Sequence, residues 1–255
     1  MSSNISLVED AVVLAAGMGS RLPGYEVPKP LVEVAGKPLL KRTFEGLASA
    51  GVKRIYLVLG FKAEVIARSV RSWGRDLKVD INLVLNCHWE RPNGLSLAVC
   101  ANPLAGRSFV LTMADHLFDP GIVKDLVKVG PPSRGVCLAV DTQPERVFDI
   151  DDATKVVFDD QDRRITDIGK TLASYNAVDT GLFVCTTAIF DALANAFTKG
   201  SYSLSDGMRE LAAQGRFLGM PVEGRYWQDV DTPQMLAQAE KDLGQGALAD
   251  SAGRR

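Results

Sequence analysis

The sequence predicts an α/β protein of three layers, with a mostly parallel but mixed sheet held between helices. Two observations carry this. Short apolar runs alternate with stretches of helical spacing as far as Val140, and after about residue 145 the pattern changes to paired strands. Regular alternation favours parallel strands covered on both faces, with ligands at the strand carboxyl ends.

The strands expected in the first part are Ala11–Ala16, Arg54–Gly60, Val79–Leu85, Phe109–Met113 and Val136–Val140. Between them, apolar residues at helical spacing mark Leu39–Ala50, Ala63–Ser72, Leu95–Ala101 and Ile122–Val129. Further on, Thr154–Phe158 and Arg163–Ile168 flank the polar turn Asp159-Asp160-Gln161-Asp162 and read as a hairpin. A strand at Thr180–Cys185, helices near Ala188–Phe197 and Ser205–Gln214, and a strand at Phe217–Val222 follow. The last helix starts at Pro233, with Thr232 as its N-cap and proline in the first turn. No internal repeat is present. Residues 1–243 form a single domain in this reading, with the first ten residues and the small, polar 244–255 as loose tails.

At 255 residues the chain is long enough for one large α/β domain. A hydrophobic share of 46% and a charged share of 24% are ordinary globular values, which excludes a disordered or fibrous chain. The net charge of −2 gives no support for a nucleic-acid or membrane-surface partner. No apolar run approaches the ~20 residues of a membrane span, so no membrane insertion is expected. The start, MSSNISLVED, lacks the basic and apolar regions of a signal peptide, so a cytoplasmic protein is expected. Cys87, Cys100, Cys137 and Cys185 are scattered without metal or disulfide spacing and read as buried free thiols. With only His88 and His116 in the chain, a multi-histidine metal site is excluded.

The chemistry concentrates between Ala11 and Pro30, AVVLAAGMGSRLPGYEVPKP. A buried strand ends at Leu14, Ala15 and Ala16 and runs into Gly17, Gly19 and Ser20. Bare glycine backbone lets a polyphosphate approach main-chain N–H groups, which form anion-binding concavities. Arg21 can grip phosphate oxygens as a fork and Lys29 can act as a point charge, held by Pro28 and Pro30 on a stiff segment. The spacing is neither GxxxxGK[ST] nor GxGxxG, since Gly24 falls five residues after Gly19. A P-loop and a dinucleotide fingerprint are both excluded.

Three further segments carry polar groups in telling places. FVLTMADHLFDP delivers Asp115 to the end of a central strand, where a carboxylate can hold Mg²⁺, a hard cation that takes oxygen ligands and substrate phosphates. His116 beside it reads as a contact to phosphate or substrate, not as a general base. In RYWQDVDTPQML, Asp229 and Asp231 alternate and share a face of an extended segment. Alone they are ordinary loop acids; their function follows from a magnesium site needing more than Asp115. In LNCHWERPNGLSLAVC, Asn93-Gly94 makes a turn ahead of a helix that carries Ser96.

LAAGMGSRL followed by VPKPLVEVAGKPLL resembles the signature of nucleotidyltransferases that couple a nucleoside triphosphate to a phosphorylated small molecule. Together with TMADH, ATKVVFDDQDRRITDIGKTL, VDTGLFV and WQDVDT, it is most similar to the L-myo-inositol-1-phosphate cytidylyltransferases, over about Val12 to Leu243. The resemblance implies a Rossmann-like, nucleotide-diphospho-sugar transferase fold with a smaller acceptor-binding hairpin. It also implies loop amides, Arg21 and Lys29 on the triphosphate, and the loop at Asn93, Gly94 and Ser96 on the base. Mg²⁺ would sit on Asp115 and one of Asp229 and Asp231. Lys170 would hold the acceptor phosphate, with Lys155, Asp179, Thr180, Gly181 and His116 near the acceptor. One departure is Ala114, where these enzymes usually carry glycine. In such relatives the domain is often fused to a membrane-embedded CDP-alcohol phosphotransferase; a free-standing cytidylyltransferase is expected here.

The expected reaction is attack of an acceptor phosphate oxygen on the α-phosphorus of CTP, giving CDP-inositol and pyrophosphate. The partners are then CTP and a phosphorylated small-molecule acceptor, with a homodimer compatible. Phosphocholine, 2-aminoethylphosphonate and sugar 1-phosphates stand as alternative acceptors, since Trp89, Glu90, Tyr226 and Trp227 could serve an ammonium group. A non-catalytic nucleotide-sensing module is the alternative of a different class.

Overall fold

The computed structural model describes residues 8–22 and 27–248. β1 (Asp10–Ala15) ends in the glycine loop, and Lys29–Leu31 forms a single 3-10 turn. A small hairpin of β2 (Glu33–Val34) and β3 (Lys37–Pro38) leads into α1 (Leu39–Ser49). Next come β4 (Arg54–Leu59), α2 (Ala63–Val70), α3 (Trp73–Leu77) and β5 (Asp80–Leu85). They are followed by α4 (Gly94–Ala98), β6 (Phe109–Met113), β7 (His116–Phe118) and α5 (Pro120–Val129). The second half holds β8 (Val136–Asp141), β9 (Lys155–Asp159), β10 (Arg164–Gly169) and β11 (Ala177–Cys185). α6 (Ala188–Thr198), α7 (Leu204–Ala212), β12 (Phe217–Pro221), β13 (Trp227–Asp229) and α8 (Pro233–Gly244) complete it.

Nine strands form one sheet in the order β5-β4-β1-β6-β11-β8-β12-β10-β9. β5, β4, β1 and β6 are parallel, as their alternation with helices predicts. β11 runs antiparallel between β6 and β8, so the sheet is mixed at its centre. All six residues of β1 are buried, which requires a cover on each face. Val12 and Leu14 pack with Leu97, Leu193 and Leu211 from α4, α6 and α7. Ala11, Val13 and Ala15 pack on the other face with Phe44, Ile122 and Leu126 from α1 and α5. Each fully buried Leu or Phe in these layers contributes about 1.5–3 kcal/mol relative to exposure.

α1 shows how sequence sets an element. Leu39, Leu40, Thr43, Phe44 and Leu47 recur on one face and are buried, and Gly51 past its end takes φ +98°, a conformation glycine adopts without strain.

Several expectations are corrected. The strand at Val79–Leu85 is an edge, and Leu83 and Leu85 are exposed instead of lying in a core. The helix expected at Ala63–Ser72 stops at Val70 and resumes as α3, whose Trp73 sits edge-on to Phe44 at 5.9 Å. Cys87 is exposed; only Cys100, Cys137 and Cys185 are buried thiols. Val8 to Asp10 are no loose tail, because Asp10 belongs to β1 and accepts from Arg54 at 2.7 Å. Gly244 closes α8, while residues 1–7 and 249–255 lie outside the described residues. No helix of the described residues is long and apolar enough to cross a membrane.

The pairing of β13 with β7 was not legible in the sequence. It sets Asp229 opposite His116 and so brings the late acids to the end of β6.

Candidate active site

Five separate segments meet at the carboxyl ends of β1 and β6, and their charged groups form an alternating chain. Lys29, only 8% exposed, donates to Asp115 Oδ2 at 2.6 Å and also to Asp231. Asp231 in turn accepts from Arg21, and Arg21 donates its other terminal nitrogen to Asp152. Asp152 also accepts from Lys170 at 2.7 Å, and Asp115 Oδ1 lies 2.7 Å from His116 Nδ1. The chain therefore runs Lys170, Asp152, Arg21, Asp231, Lys29, Asp115, His116, with each charge beside its opposite.

The electrostatics follow from burial and from these neighbours. Burial opposes the charge on Lys29, but Asp115 and Asp231 outweigh it and hold the ammonium above its ordinary value. Burial likewise works against Asp115, and Lys29 and His116 outweigh it, so that carboxyl lies below the usual range. His116 is raised: burial disfavours its charge, and the bond to Asp115 overcomes that. For Asp229 the attraction of His116 and Lys29 does not outweigh the opposing effects. Burial raises it, with Asp115 and Asp231 adding repulsion.

A cavity of about 250 Å³ opens between the loop and these acids, lined by Leu14, Ala15, Gly17, Gly19, Ser20, Arg21, Lys29 and Asp115 among others. Ala114 and Asp231 belong to the same wall. Ala16 is buried behind it, its carbonyl bonded to the Phe61 amide at 2.9 Å. Gly19 takes φ +66°, and its missing side chain admits the stem of Lys29. The bulk of the predicted nucleotide and metal residues thus share one wall.

The acceptor-side residues divide. Asp179 accepts from the Gly181 amide at 2.7 Å, and burial pushes its carboxyl up to about 6. Gly181 has φ +72°, and a Cβ there would stand 2.3 Å from the His116 ring, so the glycine seats the imidazole. Two of these side chains turn inward. Thr180 is fully buried, and its hydroxyl donates to the Ala139 carbonyl at 2.8 Å. Lys155 is buried too, and its ammonium donates to the carbonyls of Asp151 and Ala153 at 3.0 and 3.3 Å.

The loop at Asn93, Gly94 and Ser96 makes bonds within the protein. Asn93 Oδ1 accepts from the Leu204 amide at 2.9 Å, and Ser96, buried, accepts from Asn86 at 2.9 Å. A Cβ on Gly94 would lie 2.5 Å from the Tyr202 carbonyl, so this glycine serves the approach of the chain ahead of α7. These groups fasten α4 within the protein. Asp152 is the residue sequence reasoning missed. It lies in an acid-rich run, Asp149-Ile150-Asp151-Asp152, where nothing in the pattern distinguishes one carboxylate from the next.

A mixed α/β sheet with a glycine loop, two cations and convergent carboxylates at the ends of its first and central strands defines a nucleotidyltransferase. The chain belongs to the MobA-like NTP transferase domain family, whose model matches residues 11–222. It is 34% identical over 244 residues to a bifunctional IPC transferase and DIPP synthase of Aquifex aeolicus, covering 95% of this chain and 53% of that one. A bifunctional IPC transferase and DIPP synthase of Thermococcus kodakarensis is 36% identical over 239 residues, covering 92% and 50%. The chain thus spans about half the length of these curated relatives. The solved inositol-1-phosphate CTP transferase from T. maritima superposes with a TM-score of 0.79 at 25% identity, covering 94% of this chain and 98% of that one.

Proposed function

We propose that this chain transfers a cytidylyl group from CTP to L-myo-inositol 1-phosphate, giving CDP-inositol and pyrophosphate. The observation that carries the reading is the cavity where Arg21, Lys29 and the glycine loop face Asp115 and Asp231. The substrates rest on the relatives' names, which speak of IPC transferase and of inositol-1-phosphate CTP transfer.

The donor chemistry fits magnesium. No group of three His, Cys, Asp or Glu among the described residues forms a cage, and Mg²⁺ is held by one or two carboxylates plus substrate phosphates. Asp115 with Asp231 or Asp229 would hold it, and there it would supply positive charge to phosphate oxygens. The chain's own residues do the rest. Loop amides at Gly17 to Ser20, Arg21 and Lys29 bind and orient the triphosphate, and Lys170 holds the acceptor phosphate against the repulsion of the donor. The acceptor is already an anion, so positioning and charge neutralisation suffice and no side-chain base is required. Asp179 would receive an acceptor hydroxyl.

A second acceptor class has one observation in its favour. A cavity of about 210 Å³ beside Asp229 is lined by Asp141, Asp149, Tyr226 and Trp227, acids and aromatics suited to an ammonium group, together with Arg146 and Arg225. A pyrophosphate-release screen crossing four nucleoside triphosphates with inositol 1-phosphate, hexose 1-phosphates, phosphocholine and aminoethylphosphonate tests both. Best kcat/KM with CTP and inositol 1-phosphate is the expected result; a better ammonium-bearing acceptor overturns the assignment.

A further inference from the structure

Lys155 presents a physical puzzle. Its ammonium is buried and has no carboxylate partner among the described residues, an arrangement that costs free energy unless other groups compensate. Compensation comes from two backbone carbonyls, those of Asp151 and Ala153, and from the Tyr175 ring, whose centroid lies 5.8 Å away. The two carbonyls flank a single residue, Asp152.

That residue is where the two halves of the site meet. Arg21 comes from the nucleotide loop after β1, and Lys170 from the turn after β10. Both are long side chains about half exposed, and both donate to the Asp152 carboxylate. Left alone, two such cations would repel and sweep through solvent. The carboxylate draws them together, and backbone bonds hold its own loop. Asp152 N donates to Asp149 Oδ1 at 3.4 Å, and Ala153 N to the Asp149 carbonyl at 3.1 Å. The Thr154 carbonyl accepts from Asp179 N at 2.9 Å, fastening the segment to β11.

We propose that Asp152, pinned by Lys155 through the carbonyls on either side of it, is a positioning residue that sets the spacing between Arg21 and Lys170. A transfer between two mutually repelling phosphates needs its donor-side and acceptor-side cations at a fixed separation, and misplacement by about 1 Å can cost on the order of 10²-fold. The inference rests on the reading of Lys170 as the acceptor-phosphate cation. Lys155 then acts on the reaction without touching either substrate.

The test compares wild type with Asp152→Asn, Lys155→Met, Lys155→Arg and the Asp152→Asn/Lys155→Met double variant, on whichever substrate pair the screen finds productive. Asp152→Asn should lower kcat/KM for the acceptor about tenfold or more, with the larger share in the acceptor KM. Lys155→Met should reproduce that pattern, Lys155→Arg should restore at least part of it, and the double variant should be no worse than Asp152→Asn alone. A readout free of substrate accompanies the kinetics: acylation of Lys170 by an N-hydroxysuccinimide ester, followed by mass spectrometry. It should rise severalfold in both Asp152→Asn and Lys155→Met, because the ammonium loses its fixed partner. Wild-type labelling of Lys170 in Lys155→Met, or additive kinetic losses in the double variant, overturns the proposal. Failure of CTP with inositol 1-phosphate would instead strike the substrate assignment, since the labelling result stands apart from it.

Discussion

A Cβ on Gly19 would lie 2.6 Å from the Cβ of Lys29, so the glycine loop and the buried lysine are shaped to one another. Contact this close leaves no space for any side chain at position 19, and φ +66° adds strain for one. Gly17 differs: a Cβ there meets nothing within 4 Å, and the residue lines the same cavity. Gly19→Ala should therefore lower both Tm and kcat/KM, the first by a few degrees for about 1–2 kcal/mol of strain. Gly17→Ala should leave Tm within about 1 °C while raising the KM for the nucleotide, because its methyl group enters only ligand space. Differential scanning calorimetry with initial-rate kinetics separates the two; equal Tm losses would contradict this account.

Lys29 and Arg21 should differ in what they do for the fold. Either substitution by alanine is expected to lower kcat/KM on the order of 10²-fold or more, as loss of one preorganised charge does. Lys29 is buried between two carboxylates, so Lys29→Met should also cost about 3–5 kcal/mol, a Tm loss on the order of 10 °C. The Arg21 side chain is 50% exposed, and Arg21→Ala should shift Tm by no more than about 2 °C. A lysine variant as stable as wild type would show that the acids do not depend on it.

Asp179 supplies a pH signature. Burial raises its folded-state value to about 6, above the ordinary carboxyl value of 3.8. The folded chain therefore binds this proton more tightly than the unfolded chain does. The corresponding stabilisation is complete below the unfolded value and is lost as pH rises through about 6. Asp179→Asn removes the buried charge and should raise Tm by roughly 5 °C at pH 8, with almost no effect at pH 4. A pH-independent difference in Tm would show that the carboxyl is not the cause.

Metal removal gives the fourth expectation. Excess chelator should abolish pyrophosphate release and added Mg²⁺ should restore it. Asp115→Ala should remove activity while the far-ultraviolet circular dichroism stays that of wild type. Direct binding provides an independent measure: Mn²⁺ affinity, read by electron paramagnetic resonance in the presence of CTP, should fall in Asp115→Ala. Undiminished turnover in chelator would remove the metal from the scheme.

Local signals made much of the molecule legible. Strand–helix alternation announced the parallel half of the sheet, and Gly17, Gly19, Arg21 and Lys29 announced the loop, because both depend on residues near one another in sequence. Asp115 was legible for the same reason, as the polar end of an apolar strand. The antiparallel insertion of β11 between β6 and β8 depends on long-range pairing, which no local period encodes. The inward bonds of Thr180 and Lys155 were not legible because burial decides what a polar side chain can reach, and burial is a tertiary property. Asp152 was invisible among neighbouring acids until Arg21 and Lys170 were seen converging on it.

The two-stranded pairing of β13 with β7 separates the stretch of chain that builds the sheet from the stretch that brings in the last acids. β12, the last strand to join the large sheet, ends at Pro221, whereas Asp229 and Asp231 lie beyond it in the chain. The residues as far as Pro221 contain every strand of the main sheet. That stretch lacks Asp231, the carboxylate that Lys29 and Arg21 share. The pairing of the sheet and the completion of the charge chain thus depend on different stretches of the sequence.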